Sequence, residues 1–550
     1  MGAHGRAVGV DFGTSTALVA ERMGRRPVDI APLGNTTKWF PSLAGYDGDR
    51  IVVGEDADHL PVDQVVRSIK RAITERRNHV QVTGRDGPRD LAADDVIVAI
   101  LSEIDKRAAS LGLALATEND LRLGCPAMWD GEQRQRLLHL ATEAGIPPDT
   151  LTLVEEPIAA GVAWVAHRFV EFNEQPKGRL LVFDMGGGTL DVAVLDVVGG
   201  ERPEISVLSA LGVPLAGDHL DAQIAKDLEA ELAERGHDLS TLPRQEQVGA
   251  LMLRAARNAK ERLTSVRTHP IVLPSQIGQS LPTIRYSREQ LDEALRPQID
   301  SAKMLIESAL RSARLTEHGN YSAAQLGKLK LADLAGDVKF VLLAGGMSRI
   351  PSVERTMRAL FQEAEVFDNA GVPPDEAIVA GLADTAGYDR VNLHRPSFDF
   401  VVEWQGGGRS DHATLYEAYT PLYEPWKVAA GYGYLGYEVL PKEFPGPKSG
   451  SGVLRVRTPS GEHVRLMVDG KELLGLPFTF GNNMHFKLFC DGRIFLHDGA
   501  GAEVDLRVDR WPIIHGHDYA AVVLTNATAE GPALTNQWYL NKDWAPPGSY

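Results

Sequence analysis

The sequence predicts an α/β protein of two related lobes spanning residues 1–390, followed by a β-rich region over 396–550. Three observations predict it. An apolar run that ends in an acid and a glycine-containing turn occurs twice. Around both copies, strand-like runs alternate with amphipathic helical periods, as layered α/β architectures require. After Gly387 the helical period stops and short β-like runs take over. The length of 550 residues exceeds what one core fills, so two or three structural units are expected.

The first copy is Ala7–Val10, ending at Asp11-Phe12-Gly13-Thr14-Ser15-Thr16 and resuming as Ala17–Ala20. The second is Leu180–Phe183, ending at Asp184-Met185-Gly186-Gly187-Gly188-Thr189 and resuming as Leu190–Leu195. Each reads as strand, tight turn, strand, with a carboxylate closing the first arm. A duplicated hairpin of this kind predicts two similar lobes facing each other. Asp130 with Gln133 forms a capping box that opens a helix through Leu140, stopped at Gly145; Ser287 with Gln290 opens another toward Leu310. The stretches His219–Leu232 and Val248–Val266 also carry helical apolar spacing.

In the C-terminal region, Asp469-Gly470 and Asp491-Gly492 sit between β-like runs and predict two-residue hairpins; Asp498-Gly499 is a further turn signal. Pro441–Gly452 is rich in Pro, Gly and Ser and is a candidate linker, leaving one module or two open. The tail from Trp544 reads as frayed, and no helical segment follows the β region.

Composition narrows the partners. Hydrophobic residues make up 43% and charged residues 24%, the balance of a soluble globular chain. A net charge of −17 repels nucleic acid and anionic lipid in bulk, and neither is expected as a partner. The basic run Arg67, Lys70, Arg71, Arg76 and Arg77 reads as a helix face. Two distant cysteines, Cys125 and Cys490, exclude a disulfide framework and a Cys-x-x-Cys metal site. Neither a targeting run nor an apolar stretch of the ~18 residues a bilayer demands is visible, so the expected location is cytoplasmic. The sequons at Asn35, Asn320 and Asn526 read as chance.

Phosphate chemistry is the strongest functional signal. Gly186-Gly187-Gly188 exposes successive backbone N–H groups to a phosphate, Thr189 adds a hydroxyl, and Asp184 and Asp191 can hold Mg²⁺ through water. With Asp11-Phe12-Gly13-Thr14, two turns can clamp a triphosphate from opposite sides. A third glycine element, Ala344-Gly345-Gly346-Met347-Ser348-Arg349-Ile350-Pro351, follows the strand Phe340–Leu343 and precedes a helix from about Ser352, bringing backbone close to a nucleoside. No Walker A sequence is present. Gly431-Tyr432-Gly433-Tyr434-Leu435-Gly436 has dinucleotide-type spacing, but prolines 441, 445 and 447 follow where a helix N-terminus is needed.

These elements, with Val154-Glu155-Glu156-Pro157-Ile158-Ala159-Ala160 and Pro374-Asp375-Glu376-Ala377, resemble the ordered motifs of the actin-like ATPases, whose lobes are a duplicated ribonuclease H-like fold. Within that superfamily the chain is most similar to the DnaK-type heat-shock chaperones, through Gly-Gly-x-Ser-Arg-Ile-Pro and Ser68-Ile69-Lys70-Arg71. The resemblance covers residues 6–390. It implies ATP or ADP as ligand with Mg²⁺, and K⁺ as a further candidate ion. Asp11 and Asp184 would hold the hydrated metal. Gly13, Thr14, Ser15 and Gly186 to Gly188 would take the phosphates. Gly217, Lys260, Thr264, Gly345, Gly346, Ser348, Arg349 and Asp375 would line the nucleoside end. Lys70 would stabilise charge on the transferring phosphoryl group, Thr189 would stand beside the γ-phosphate, and Glu156, with Asp191 as the weaker candidate, would orient the attacking water.

Two departures from the family pattern stand out. On the helix expected against adenine, Arg257 occupies the Glu position and Glu261 the Arg position, so a base-stacking guanidinium is missing where it belongs. The segment Asp389–Pro396 lacks the family's apolar linker, and no helical lid follows the β region. The tyrosines 416, 419, 423, 432, 434 and 437, with Trp426, read first as β core and cross-strand pairs, and alternatively as a groove for peptide or sugar. The resemblance implies an ATP-hydrolysing chaperone whose β module binds a protein or peptide client, with a J-type co-chaperone and a nucleotide exchange factor as candidate partners. A dedicated regulatory ATPase scaffold and, further off, a filament-forming actin-like protein are the alternatives.

Overall fold

The computed structural model describes residues 6–526 apart from 25, 85–86, 118–120, 147–150, 199–203, 243, 274–280, 315–325, 385–393, 407, 425–435, 459–460, 490–491 and 511–520. Cys490, Asp491, Asn320, most of the Gly431–Gly436 motif, Trp426, Tyr432, Tyr434 and the tail from Trp544 lie outside the described residues.

Both predicted hairpins form, and each nucleates a sheet of the same design. In the first lobe Arg6–Phe12 pairs antiparallel with Thr16–Met23, then parallel with Leu121–Cys125, which pairs parallel with Leu151–Glu155. In the second, Gly178–Met185 pairs antiparallel with Leu190–Val198 and parallel with Val338–Ala344, which pairs parallel with Glu365–Phe367. The outer strands Asp29–Ile30 and Glu204–Val213 complete the correspondence. The hairpin strands are buried almost throughout, hence their near-continuous apolar runs.

Two helices connect and join the lobes. Glu156–Phe172 leaves the strand Leu151–Glu155 and packs on the second sheet, with Trp164 against Phe340 and Phe367 at ring distances of 5.0 and 5.2 Å. Ala377–Asp384 packs on the first sheet and crosses Glu156–Phe172. Small residues make this crossing possible. A Cβ on Gly381 would lie 1.7 Å from the Ala159 carbonyl oxygen, and one on Gly9 would lie 2.6 Å from the Ala383 nitrogen. Both capping boxes form as the sequence predicts, on helices Gly131–Glu143 and Arg288–Ala313. Helices Gly217–Glu234 and Gln245–Leu263 pack together above the second lobe. Among the described residues no helix is long and apolar enough to cross a membrane.

Among the described residues the β region makes two sheets. Five strands, with Asp399–Gly406 and Gly450–Arg457 central, face seven that include His485–Phe489, Arg493–His497 and Glu503–Arg510. Gly436–Val439 belongs to the seven-stranded sheet and Gly450–Arg457 to the five-stranded one, so strands from both sides of Pro441–Gly452 interleave. Phe400 of one sheet meets Phe486 of the other at 5.7 Å. Asp469-Gly470 forms a two-residue turn with both φ angles positive, between Leu466–Val468 and Lys471–Leu473. Asp498 instead folds a longer loop, its carboxylate accepting from the Ala500 and Ala502 backbone amides at 3.0 and 2.7 Å. Tyr416 packs between Phe400 and Tyr437, and Tyr423 against His394. These described aromatics are core contacts rather than the lining of a groove.

Candidate functional site

Three glycine elements converge where the lobes meet. In the second hairpin the Gly186 amide donates to the Thr189 carbonyl at 3.0 Å, closing the turn. The first turn abuts it. A Cβ on Gly187 would lie 2.9 Å from Ser15 Oγ, and one on Gly188 would lie 2.6 Å from Thr14 Oγ1. The start of helix Gly217–Glu234 is bonded to the same turn, the Gly217 and Asp218 amides donating to the Gly186 and Gly187 carbonyls at 3.2 and 2.7 Å. Gly345, at φ 76°, presses on it from the other side. A side chain there would stand 2.5 Å from Asp184 Oδ1 and 2.4 Å from the Met185 carbonyl oxygen. Only glycine meets both the conformation and the space.

Behind these turns lies a dense group of buried charges. Asp184 and Asp191 are direct cross-strand partners. With Asp11 and Glu156 they place four carboxylates around Lys70, which is 3% exposed and ion-paired to Glu156. Burial first, and the Glu156 charge second, push Asp11 and Asp191 each up to about 7 from an ordinary 3.8. Burial, Glu156, Asp191 and Asp11 together hold Asp184 well above its usual range. Burial disfavours the Lys70 cation, but Glu156 and Asp11 outweigh it and raise its pKa. Asp191 accepts from the Ala127 amide at 2.9 Å and from the Thr189 hydroxyl, whereas Asp11 Oδ1 and Asp184 Oδ1 are buried without a hydrogen-bond donor. One ammonium among four carboxylates leaves anionic oxygens unmatched, and a hydrated divalent cation satisfies that deficit. The donor set is compatible with Mg²⁺ held through water, and Asp11 and Asp184 would be its holders.

The outer end of the cleft is organised by residues that carry no motif in the sequence. Asp218 and Asp221, one helical turn apart behind Gly217, gather the cations. Arg257 donates to Asp221 at 3.1 Å and to Asp218 at 3.2 Å, Lys260 pairs with Asp221 at 2.7 Å, and Arg71 crosses from the first lobe to Asp218 at 3.6 Å. Arg257 thus sits in an ion network with Lys260. Thr264 turns back on its own helix, its hydroxyl donating to the Glu261 carbonyl at 2.7 Å. Ser348 donates to the Ala344 carbonyl, and Arg349 pairs with Asp375, bracing the third glycine element. Gly346 leaves open space beside it, since a Cβ there would meet nothing within 4 Å. Trp129 packs its ring 5.6 Å from the Lys70 ammonium. The i, i+3 acids after Gly217 were the available signal for the network; nothing in sequence marked Trp129.

Two facing lobes of like topology, with phosphate-type turns and an acid cluster at their junction, define a nucleotide cleft of the actin-like class. A family model for the Hsp70 protein matches residues 7–393, and the chain belongs to that family. Its relatives include the chaperone protein DnaK of Deinococcus radiodurans, 31% identical over 409 residues, covering 70% of this chain and 59% of the relative. The DnaK of Cenarchaeum symbiosum is 29% identical over 400 residues, covering 70% and 54%. That of Nitrosopumilus maritimus is 30% identical over 397, covering 70% and 56%. The chain thus spans somewhat over half the length of these relatives.

Proposed function

We propose that the protein is an ATP-hydrolysing, DnaK-like chaperone whose nucleotide state controls its C-terminal β module. The observation that carries the proposal is the Lys70–Glu156 pair set among Asp11, Asp184 and Asp191, with Asp11 Oδ1 and Asp184 Oδ1 buried without a donor. Phosphoryl transfer needs positioning and charge neutralisation, and this cluster provides both. Mg²⁺, when bound, neutralises phosphate charge. Asp11 and Asp184 hold its hydration shell; Thr14 and the amides of Gly186 to Gly188 orient the phosphates. Thr189 stands at the terminal phosphate, Lys70 stabilises the transferring group, and Glu156 and Asp191 align the water. Arg257 and Lys260, fixed by Asp218 and Asp221, face the nucleoside with Gly345 and Arg349. The β module takes polypeptide, with J-type and exchange-factor partners and a cytoplasmic location as part of the same reading. The family assignment supports it.

The test is phosphate release from Mg-ATP by the wild type beside Lys70→Ala and Thr189→Ala, with ATP and ADP affinities in parallel. Release falls by roughly 10²-fold or more in Lys70→Ala while nucleotide binding persists. Absence of nucleotide binding by the wild type overturns the reading. A peptide titration in ATP and ADP tests the module, and equal affinity in both states counts against coupling.

A further inference from the structure

The near two-fold correspondence of the lobes gives their junction two sides. On one lie the edge strands Leu151–Glu155 and Glu204–Val213, and residues 394 and 395 pack there. His394 is buried where the Leu208 backbone reaches its ring, and Arg395 donates to the carbonyls of Ala127 and Trp129. The opposite side is bounded by the corresponding edges, Asp29–Ile30 and Glu365–Phe367. There the segments just outside those edges, Pro27–Val28 and Ala370–Val372, border a cleft of about 510 Å³ including its open mouth.

The cleft's lining is specific. Its floor is built from both joining helices, through Ala163, Ala166 and Ala380. Small side chains there create the void. Gly371, at φ 86°, allows His167 to stand at the wall, since a Cβ would fall 2.2 Å from the imidazole. The polar groups are Arg22, Arg26, His167 and Asp384. Among the described residues Asp384 is the only carboxylate in the lining, and it is ion-paired with Arg22, which also donates to the Gly24 carbonyl at 3.1 Å. Arg26 is exposed and has no ion pair among the described residues. An apolar floor beneath a cationic rim selects a small amphipathic anion.

We propose that this cleft binds a small carboxylate on a short apolar body, the carboxylate at Arg26 and the body against the alanine floor. Because the floor belongs to both helices that join the lobes, an occupant contacts each lobe at once and is placed to bias their relative angle. The site is separate from the acid cluster, and its test does not require nucleotide.

Hexanoate is the probe, with hexylammonium and hexanol as matched controls, in calorimetric titrations of the full chain. Hexanoate saturates one site with a dissociation constant of millimolar order, at least tenfold tighter than either control. Hydrogen exchange slows at residues 163–167 and 380–384 on its addition. Ala163→Leu, which fills the floor, abolishes binding. Arg26→Glu, a surface change that leaves the fold intact, weakens hexanoate at least tenfold and brings hexylammonium above it. No saturable binding, equal affinity for the three probes, or hexanoate binding indifferent to Arg26→Glu overturns the proposal.

Discussion

At the scale of single residues, the acid cluster is a store of unmatched charge. Asp11 and Asp191 hold protons in the folded chain to about pH 7, whereas the unfolded chain releases them near 3.8. Their contribution to stability is therefore full below about pH 4 and is lost as the pH rises through 7. Asp11→Asn removes one such ionisation. Without Mg²⁺ it should stabilise the protein at pH 8 by on the order of 1–3 kcal/mol, and by roughly a third of that at pH 5. Scanning calorimetry at the two pH values in chelator measures this; an equal shift at both would contradict the charge assignment. The same protons compete with a metal ion, so Mg²⁺-dependent nucleotide affinity should rise between pH 6 and 8 in the wild type and lose most of that slope in Asp11→Asn.

At the scale of elements, the fold depends on close approach between the joining helices and on contacts across the cleft. The Gly381 crossing is the tightest, and Gly381→Val would drive a branched side chain into the Ala159 backbone. The expected cost is about 3 kcal/mol or more, read as a lowered denaturation midpoint or loss of folded protein. At the cleft mouth, Thr83 of the first lobe donates to Glu246 of the second at 2.9 Å, and Arg71 reaches Asp218. Glu246→Ala should speed ADP release a few-fold in stopped flow, and Arg71→Ala should do so with a weakened salt dependence. The sequence disclosed the hairpins, both capping boxes and the three glycine elements, because each is a local pattern whose residues are neighbours in the chain. It did not disclose the Asp218 and Asp221 network or the place of Trp129. Their partners come from elements up to 147 residues away, and nothing local distinguishes a charge that will be matched across a cleft from one in solvent. The swapped charges at Arg257 and Glu261 were legible as a departure, but only the fold shows Arg257 clamped by two aspartates.

For the whole molecule, the question is how the cleft and the β module are joined. A short path of buried contacts connects them. Arg134 donates to the Trp129 carbonyl at 2.9 Å and to Glu155 at 3.1 Å, and Glu155 precedes the Lys70 partner Glu156. On the module side, the Tyr419 ring stacks 4.0 Å from the Arg134 guanidinium. Tyr419 holds a positive φ of 66°, a costly conformation for a tyrosine that the contact and its amide bond to the Pro396 carbonyl at 2.8 Å maintain. Arg395 shares the Trp129 carbonyl, and burial together with the nearby Arg134 lowers its pKa to about 10. Two guanidiniums beside one carboxylate make this joint polar, confined and sensitive to small displacements of Trp129, whose ring lies against Lys70. Tyr419→Ala removes the stack without touching the cleft. It should leave ATP affinity within about twofold, change phosphate release in the full chain by roughly 3–10-fold, and expose the 394–396 segment to proteolysis. Tyr419→Phe, which keeps the ring over Arg134, should restore both readouts. Unchanged phosphate release in Tyr419→Ala alongside new cleavage at 394–396 would mean that the contact fastens the module without transmitting the state of the cleft.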